Sequence, residues 1–223
     1  MNLNNELDNI FLRINGDRLK NKKVLLIGST GFIGSYLLKY FNYHNIDYLS
    51  IDIKKDMNSK NHIVQNICKQ MPIKERYDYI INCAGIASPV FYMKKPIETL
   101  DVSYIGTKNL LDYCNQTKPE SIIMFSSSEV YGTPPPNRLP TDEEYIGNIP
   151  TMSSRSCYDV GKLVLETLCY SYVTQHNCSI KIIRPFNFYG PYMNPNDKRV
   201  LSNWIKQHKN GNKIKIYGNG KQT

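Results

Sequence analysis

The chain has 223 residues, 41% of them hydrophobic, a formal net charge of +9 and a mean hydropathy of −0.44. That length buries one good core in one or two domains, no apolar run approaches the ~18 residues of a membrane span, and no signal-peptide pattern opens the chain, so a soluble, cytoplasmic protein is expected. The Lys residues are scattered rather than gathered into a basic run, which argues against nucleic-acid binding. The six cysteines, at 68, 83, 114, 157, 169 and 178, form no CxxC pair, which argues against a disulfide or zinc framework and leaves no expected metal site.

In chain order, residues 1–21 read as a helical extension, with Leu3, Leu7, Ile10, Phe11 and Ile14 at helical spacing. The apolar run 24–27 is a buried parallel strand, and glycines 28, 31 and 34 follow where the chain turns into an amphipathic helix over 32–41. Glycine suits that place for the turn itself, for close approach of the backbone to a pyrophosphate, and for tight helix-on-strand packing. The helix start offers unpaired N–H groups to phosphate oxygens. Gly28, Thr30, Gly31, Phe32, Ile33 and Gly34 are therefore the candidate dinucleotide cradle, the plain alternative being a glycine turn with no ligand. A second strand over 46–51 ends at Asp52, whose carboxylate suits the ribose hydroxyls of NAD and repels a 2′-phosphate. Lys54 and Lys55 soften that repulsion, so NAD is expected without excluding NADP. A short strand over 62–66 brings Asn66, a candidate adenine contact, followed by Ile67. The fourth strand, 79–83, leads into Ala84 and Gly85, small residues that let the backbone pass beneath a dinucleotide. The loop 87–96 then lies where open α/β sheets place ligands, with Ser88 and Tyr92 projecting into the crevice.

A helix over 96–117 and a fifth strand over 121–126 deliver Ser127, Ser128 and Glu129. Residues 133–153, Pro-rich and acidic, read as a surface loop over the site. A helix over 155–175 carries Tyr158 and Lys162, four apart and so on one face. The sixth strand, 179–183, runs into the segment 184–191, and a helix over 199–209 precedes a strand over 214–217. This alternation predicts an α/β, doubly wound parallel sheet of the Rossmann kind in the order 3-2-1-4-5-6. The sheet domain is expected over 22–185 and the start of a smaller, incomplete substrate domain over 186–223. Tyrosine, lysine one turn later and a serine at a neighbouring strand end make a base from a phenol, because a nearby ammonium favours the phenolate. Tyr158 then removes a proton from a sugar hydroxyl while hydride leaves the same carbon for nicotinamide. Ser127 orients that hydroxyl and Lys162 also holds the nicotinamide ribose.

GSTGFIG, the Ser127 strand end, YDVGK (158–162) and RPFNFYGP (184–191) resemble the extended short-chain dehydrogenase/reductase family of NAD-dependent enzymes that modify nucleotide sugars. ASPVFYMKKPIETL, SSSEVYG, SCYDVGK and NDKRVLSNWI resemble its UDP-glucuronate decarboxylase branch, whose members make UDP-xylose. The resemblance implies a UDP-sugar substrate and transient oxidation at C4. It also implies Glu129 assisting at C5, with a turn cap as its alternative. Ser128 and Asn187 are implied near the substrate, and Arg199 near its phosphates or uridine, or else in a structural ion pair. A homodimer is implied too, through a four-helix bundle of the helices 96–117 and 155–175.

Three departures bear on the reaction. Dehydratases of the dTDP-glucose type carry Asp-Glu where this chain has Ser128-Glu129, which speaks against that reaction, although GDP-mannose dehydratases carry Ser-Glu. Ser103 stands where the family usually has Asn, and relatives continue beyond GNGKQT with a further arginine and the rest of a substrate domain. Alternatives are therefore a nucleotide-sugar 4,6-dehydratase or epimerase, or an NAD-binding module inactive through loss of its substrate domain.

Overall fold

The computed structural model describes residues 3–14, 16–191, 193, 194, 196, 197, 199–216 and 218. Six strands, β1 Lys23–Ile27, β2 Asp47–Asp52, β3 His62–Val64, β4 Tyr79–Asn82, β5 Ser121–Phe125 and β6 Ile180–Ile183, form one sheet in the order β3-β2-β1-β4-β5-β6. Every pairing is parallel; Val24 of β1 sits opposite Tyr48 on one side and Tyr79 on the other. The strand order reverses between β1 and β4, and that reversal opens a crevice at the strands' carboxyl ends.

Among the described residues seven α-helices form: α1 Leu3–Arg13, α2 Phe32–Tyr43, α3 Pro89–Tyr92, α4 Pro96–Asp101, α5 Thr107–Thr117, α6 Ser156–His176 and α7 Val200–Lys209. β1 reads as an unbroken apolar run because it is buried on both faces. Leu25 and Ile27 join a core with Leu110, Leu111, Ile122 and Leu165, whereas Val24 and Leu26 join a second core with Leu38, Phe41 and Phe11. The extension α1 is held at Phe11, whose ring meets Tyr40 edge-on at 5.6 Å and whose carbonyl contacts His44 Nε2 at 3.2 Å. Ile10 and Ile14, expected to pack inward, are half exposed.

Three elements differ from expectation. β3 stops at Val64; one further bond joins Gln65 N–H to the Asp52 carbonyl before the chain turns at Asn66. The helix expected over 96–117 contains a π-helical turn, Val102–Gly106, between α4 and α5. There Ser103 Oγ donates to the Thr99 carbonyl at 2.9 Å, and the bare Gly161 of α6 fits against it, since a Cβ at 161 would lie 2.9 Å from that hydroxyl. The strand expected over 214–217 is not formed over 214–216, where the chain is tied back to α7 by Lys215 N–H on Gln207 and Trp204 Nε1 on the Lys215 carbonyl; Tyr217 lies outside the described residues. All six cysteines are free thiols. Among the described residues no helix is long and apolar enough to cross a membrane.

Candidate active site

The glycine turn is shaped by contact. Gly28 has φ +85°, and a Cβ there would lie 2.6 Å from the Ala84 nitrogen; at Gly34 it would lie 2.1 Å from the Gly28 carbonyl oxygen. The loop therefore folds down on the exit of β4, and α2 starts from Gly31 with no side-chain cap and no acidic residue in its first turn. Its leading N–H groups lack helical partners, which suits a pyrophosphate at the helix start. Asp52 ties the turn to β2: Oδ2 accepts from Thr30 N–H at 3.0 Å and Oδ1 from Lys54 N–H at 3.0 Å. Each carboxylate oxygen keeps a further lone pair for a ribose hydroxyl. Phe32 stacks on Phe188 at 5.7 Å, and the Tyr36 hydroxyl donates to the Pro191 carbonyl at 2.7 Å, so the chain leaving β6 crosses over the start of α2. Ile33 is partly buried in the same first turn.

Two expected cofactor contacts have local structural duties. Asn66 Oδ1 accepts from Cys68 N–H at 2.9 Å in a tight turn. The Ile67 side chain is buried in the core under Gly106, so only its backbone faces outward contacts, with its carbonyl taken by Asn109.

At the end of β5, Ser127 caps a 3₁₀ turn, Ser128–Tyr131, its Oγ accepting from Glu129 N–H at 3.3 Å. Opposite it, α6 presents Tyr158 and Lys162, both buried. Burial pushes the Tyr158 phenol above its ordinary value; the nearby Ser127 hydroxyl and the Arg199 guanidinium pull it down, while Glu129 and Asp159 add to the rise. The ammonium of Lys162, expected to acidify this phenol, makes its direct hydrogen bond elsewhere. Its Nζ donates to the Phe125 carbonyl at 2.6 Å and lies 5.8 Å from the Tyr158 ring centroid, and burial lowers the amine itself to about 8. Lys162 instead lies under the strand β4 exit, 3.6 Å from where a Gly85 Cβ would be.

Tyr92, expected to project into the crevice, is 1% exposed. It is a packing residue, since α6 covers it: its ring lies against Tyr158, and its carbonyl accepts from the Cys157 thiol at 3.5 Å. Ser88 Oγ is buried with no hydrogen-bond partner, as suits a group awaiting a ligand. Arg199 joins the crevice from α7's start, Nη2 donating to the Ala87 carbonyl at 2.9 Å and Nε lying 3.6 Å from Asp197, so it sits at the Tyr158 end. Ser128 is fixed through its N–H on the Pro185 carbonyl, and Asn187 is exposed in the segment after β6.

Two residues had no expected part. Arg155, three positions before Tyr158, pairs with Glu129 at 2.6 Å. Arg184 binds both Glu166 oxygens, the Tyr131 hydroxyl and the Glu143 carbonyl, pinning the 133–153 loop to β6 and α6. A charged residue at a helix start or strand end was the signal available for each.

Residues 24–223 match the family described as NAD dependent epimerase/dehydratase. The chain belongs to that family. It is 35% identical over 211 residues to UDP-glucuronic acid decarboxylase 1 of Xenopus tropicalis, covering 91% of this chain and 49% of that protein. It is 36% identical over 213 residues to UDP-glucuronic acid decarboxylase 6 of Arabidopsis thaliana, covering 91% and 61%. Among solved structures, UDP-glucuronic acid 4-epimerase from Bacillus cereus, in complex with UDP-glucuronic acid and NAD, superposes with a TM-score of 0.74 at 25% identity over 90% of this chain and 67% of that one. The chain spans about half to three-fifths of the length of these decarboxylases. The cofactor of this epimerase/dehydratase family member is NAD, and the uncapped start of α2 beside the Asp52 carboxylate fits it.

Proposed function

We propose that this chain is the NAD-binding, hydride-transferring part of a nucleotide-sugar-modifying enzyme of the UDP-glucuronate decarboxylase kind, working by transient oxidation at C4 of the sugar. What supports this above all is that Tyr158, buried at the start of α6, lies close to Ser127 at the end of β5, on the carboxyl side of the sheet that also carries the glycine turn, in a chain 33–36% identical to named UDP-glucuronic acid decarboxylases. Residues 22–185 form the cofactor domain in this reading, and 186–223 contribute to a substrate-binding lobe.

Mechanistically, Gly28, Gly31 and Gly34 with the first N–H groups of α2 hold the pyrophosphate, Asp52 the adenosine ribose, and Lys162 the nicotinamide ribose. NAD, when bound, accepts a hydride and gives it back. Tyr158 takes the proton from the C4 hydroxyl while Ser127 hydrogen-bonds the same oxygen. The resulting C4 ketone makes the C6 carboxylate a β-keto acid, so the C5–C6 bond breaks with its electrons left on C5 and CO2 departs. Glu129, held at the mouth, serves the proton at C5, and Tyr158 returns its proton to O4 as hydride returns to C4. Ser88, Asn187 and Arg199 receive the remainder of the substrate.

The test incubates the chain with NAD and UDP-glucuronate and follows CO2 and product mass, with Tyr158→Phe as the control. A UDP-pentose formed without net NADH supports the decarboxylase. A stable 4-keto-6-deoxy sugar assigns the dehydratase, and a C4-inverted uronate assigns the epimerase, the reading favoured by the likeness to the B. cereus epimerase. NAD binding without turnover of any nucleotide sugar assigns a binding module.

Assembly belongs to the same proposal. The run 96–117 exposes Ile97, Leu100 and Tyr104, and α6 exposes Leu163, Tyr170 and Val173. A second copy packed there as a four-helix bundle covers them, and light scattering reads the dimer mass.

A further inference from the structure

We propose that Arg155 is a positioning residue for this reaction, stationing the Glu129 carboxylate against the first turn of α6 beside Tyr158. The inference rests on the function proposed above. Arg155 works in two directions. Its backbone carbonyl accepts from Tyr158 N–H at 2.9 Å and Asp159 N–H at 3.1 Å, which sets where the tyrosine's turn begins. Its side chain reaches across to Glu129, Nη2 to Oε2 at 2.6 Å, on the turn that Ser127 caps. One residue therefore fixes the distance between the serine–glutamate turn and the tyrosine helix.

The chemistry of the pair is one-sided. A guanidinium only donates, so Glu129 Oε2 is held as an acceptor, and the proton that C5 receives is carried on the other oxygen, Oε1. Nε of Arg155 lies 3.6 Å from Asp159 Oδ2, and the other Asp159 oxygen is buried with no hydrogen-bond partner. Arg155 thus stands between two carboxylates, and burial, with Glu129 nearby, already raises the Asp159 carboxyl against the pull of Arg155. Without Arg155, Glu129 loses its anchor and faces a like-charged neighbour. A pair this exposed, 46% for Arg155 and 37% for Glu129, adds little to stability, so its removal is expected to change the rate and leave the fold intact.

The experiment compares Arg155→Met, Arg155→Lys, Glu129→Gln and the double variant Arg155→Met/Glu129→Gln with the wild type, reading NAD affinity, kcat and KM for the nucleotide sugar that the wild type turns over. NAD affinity is expected to stay at the wild-type value throughout, which certifies the fold. Glu129→Gln is expected to lower kcat about 100-fold, and Arg155→Met at least about tenfold with KM little changed. The double variant is expected to be no slower than Glu129→Gln alone, because partners acting as a unit are non-additive, and Arg155→Lys is expected to recover most of the rate. Losses that multiply in the double variant, a wild-type kcat in Arg155→Met, or a rise in KM alone each overturn the role of Arg155. A wild type that turns over no nucleotide sugar overturns the proposed function and this role together, and its rate alone tells the two failures apart.

Discussion

Tyr92 lies flat against Tyr158, ring centroids 5.0 Å apart and planes 12° apart, so the proposed catalytic phenol is backed by a second, fully buried phenol from the end of α3. The stack fixes Tyr158 in rotation as well as position. Tyr92→Ala is expected to cost about 3–5 kcal/mol, the usual loss for an emptied aromatic site, whereas Tyr92→Phe keeps the ring and stays near wild type. Thermal melts of the two variants check this, and equal melting temperatures would refute it.

Close contact grades the glycines. A methyl at Gly34 would lie 2.1 Å from a backbone oxygen, but at Gly31 the same approach is 3.2 Å. Gly34→Ala is expected to abolish NAD binding or folding, and Gly31→Ala to weaken binding only modestly. Calorimetric titration with NAD ranks them.

Asp52 serves two backbone donors before any ribose arrives. Asp52→Asn puts an amide N–H where one of those donors points, and hydrogen bonds to a charged acceptor are worth about 1.5–3 kcal/mol. NAD affinity is therefore expected to fall by about 10- to 100-fold, with no matching gain for NADP, because the disturbed turn holds the shared pyrophosphate. Parallel titrations with the two dinucleotides decide it.

Lys162 makes stability depend on pH in an unusual direction. Burial lowers its amine to about 8, so the folded chain holds fewer protons than the unfolded chain between about pH 8 and pH 10.5. Stability contributed by this group consequently rises with pH through that window, by at most about 1.4 kcal/mol for each pH unit crossed. Lys162→Met removes the rise. Denaturation midpoints at pH 7.5 and 10 for both proteins measure the difference.

Tyr158 is held above the ordinary phenol range, so a step that needs its phenolate speeds up as pH rises and levels only at strongly alkaline pH. Arg199 opposes that rise. Arg199→Met is expected to move the alkaline limb of the pH–rate profile further up, whereas an unmoved limb would confine Arg199 to substrate binding.

The strand order and glycine cradle were legible because they follow from local patterns: apolar runs, turn glycines and an acid at a strand tip. Ser127, Tyr158 and Lys162 were picked out as candidates by type and spacing, but their mutual electrostatics were not legible. Which acceptor Lys162 chooses is set by Phe125, 37 positions away in sequence, and the burial of Tyr92 by Cys157, 65 positions away. The π-helical turn at Val102–Gly106 arises where the chain packs over Ile67 and against Gly161, a tertiary cause that helical periodicity does not carry. Asn66 fits an adenine contact and a tight turn equally well by residue type, and the structure shows the turn.

The Tyr36 hydroxyl on Pro191 and the Phe32 ring on Phe188 moor the outgoing chain to the helix that opens on the phosphates. Both halves of the crevice thus hang from a single fulcrum. In the function proposed above, a shift of the segment after β6 is therefore felt at the start of α2 through one ring stack and one hydrogen bond.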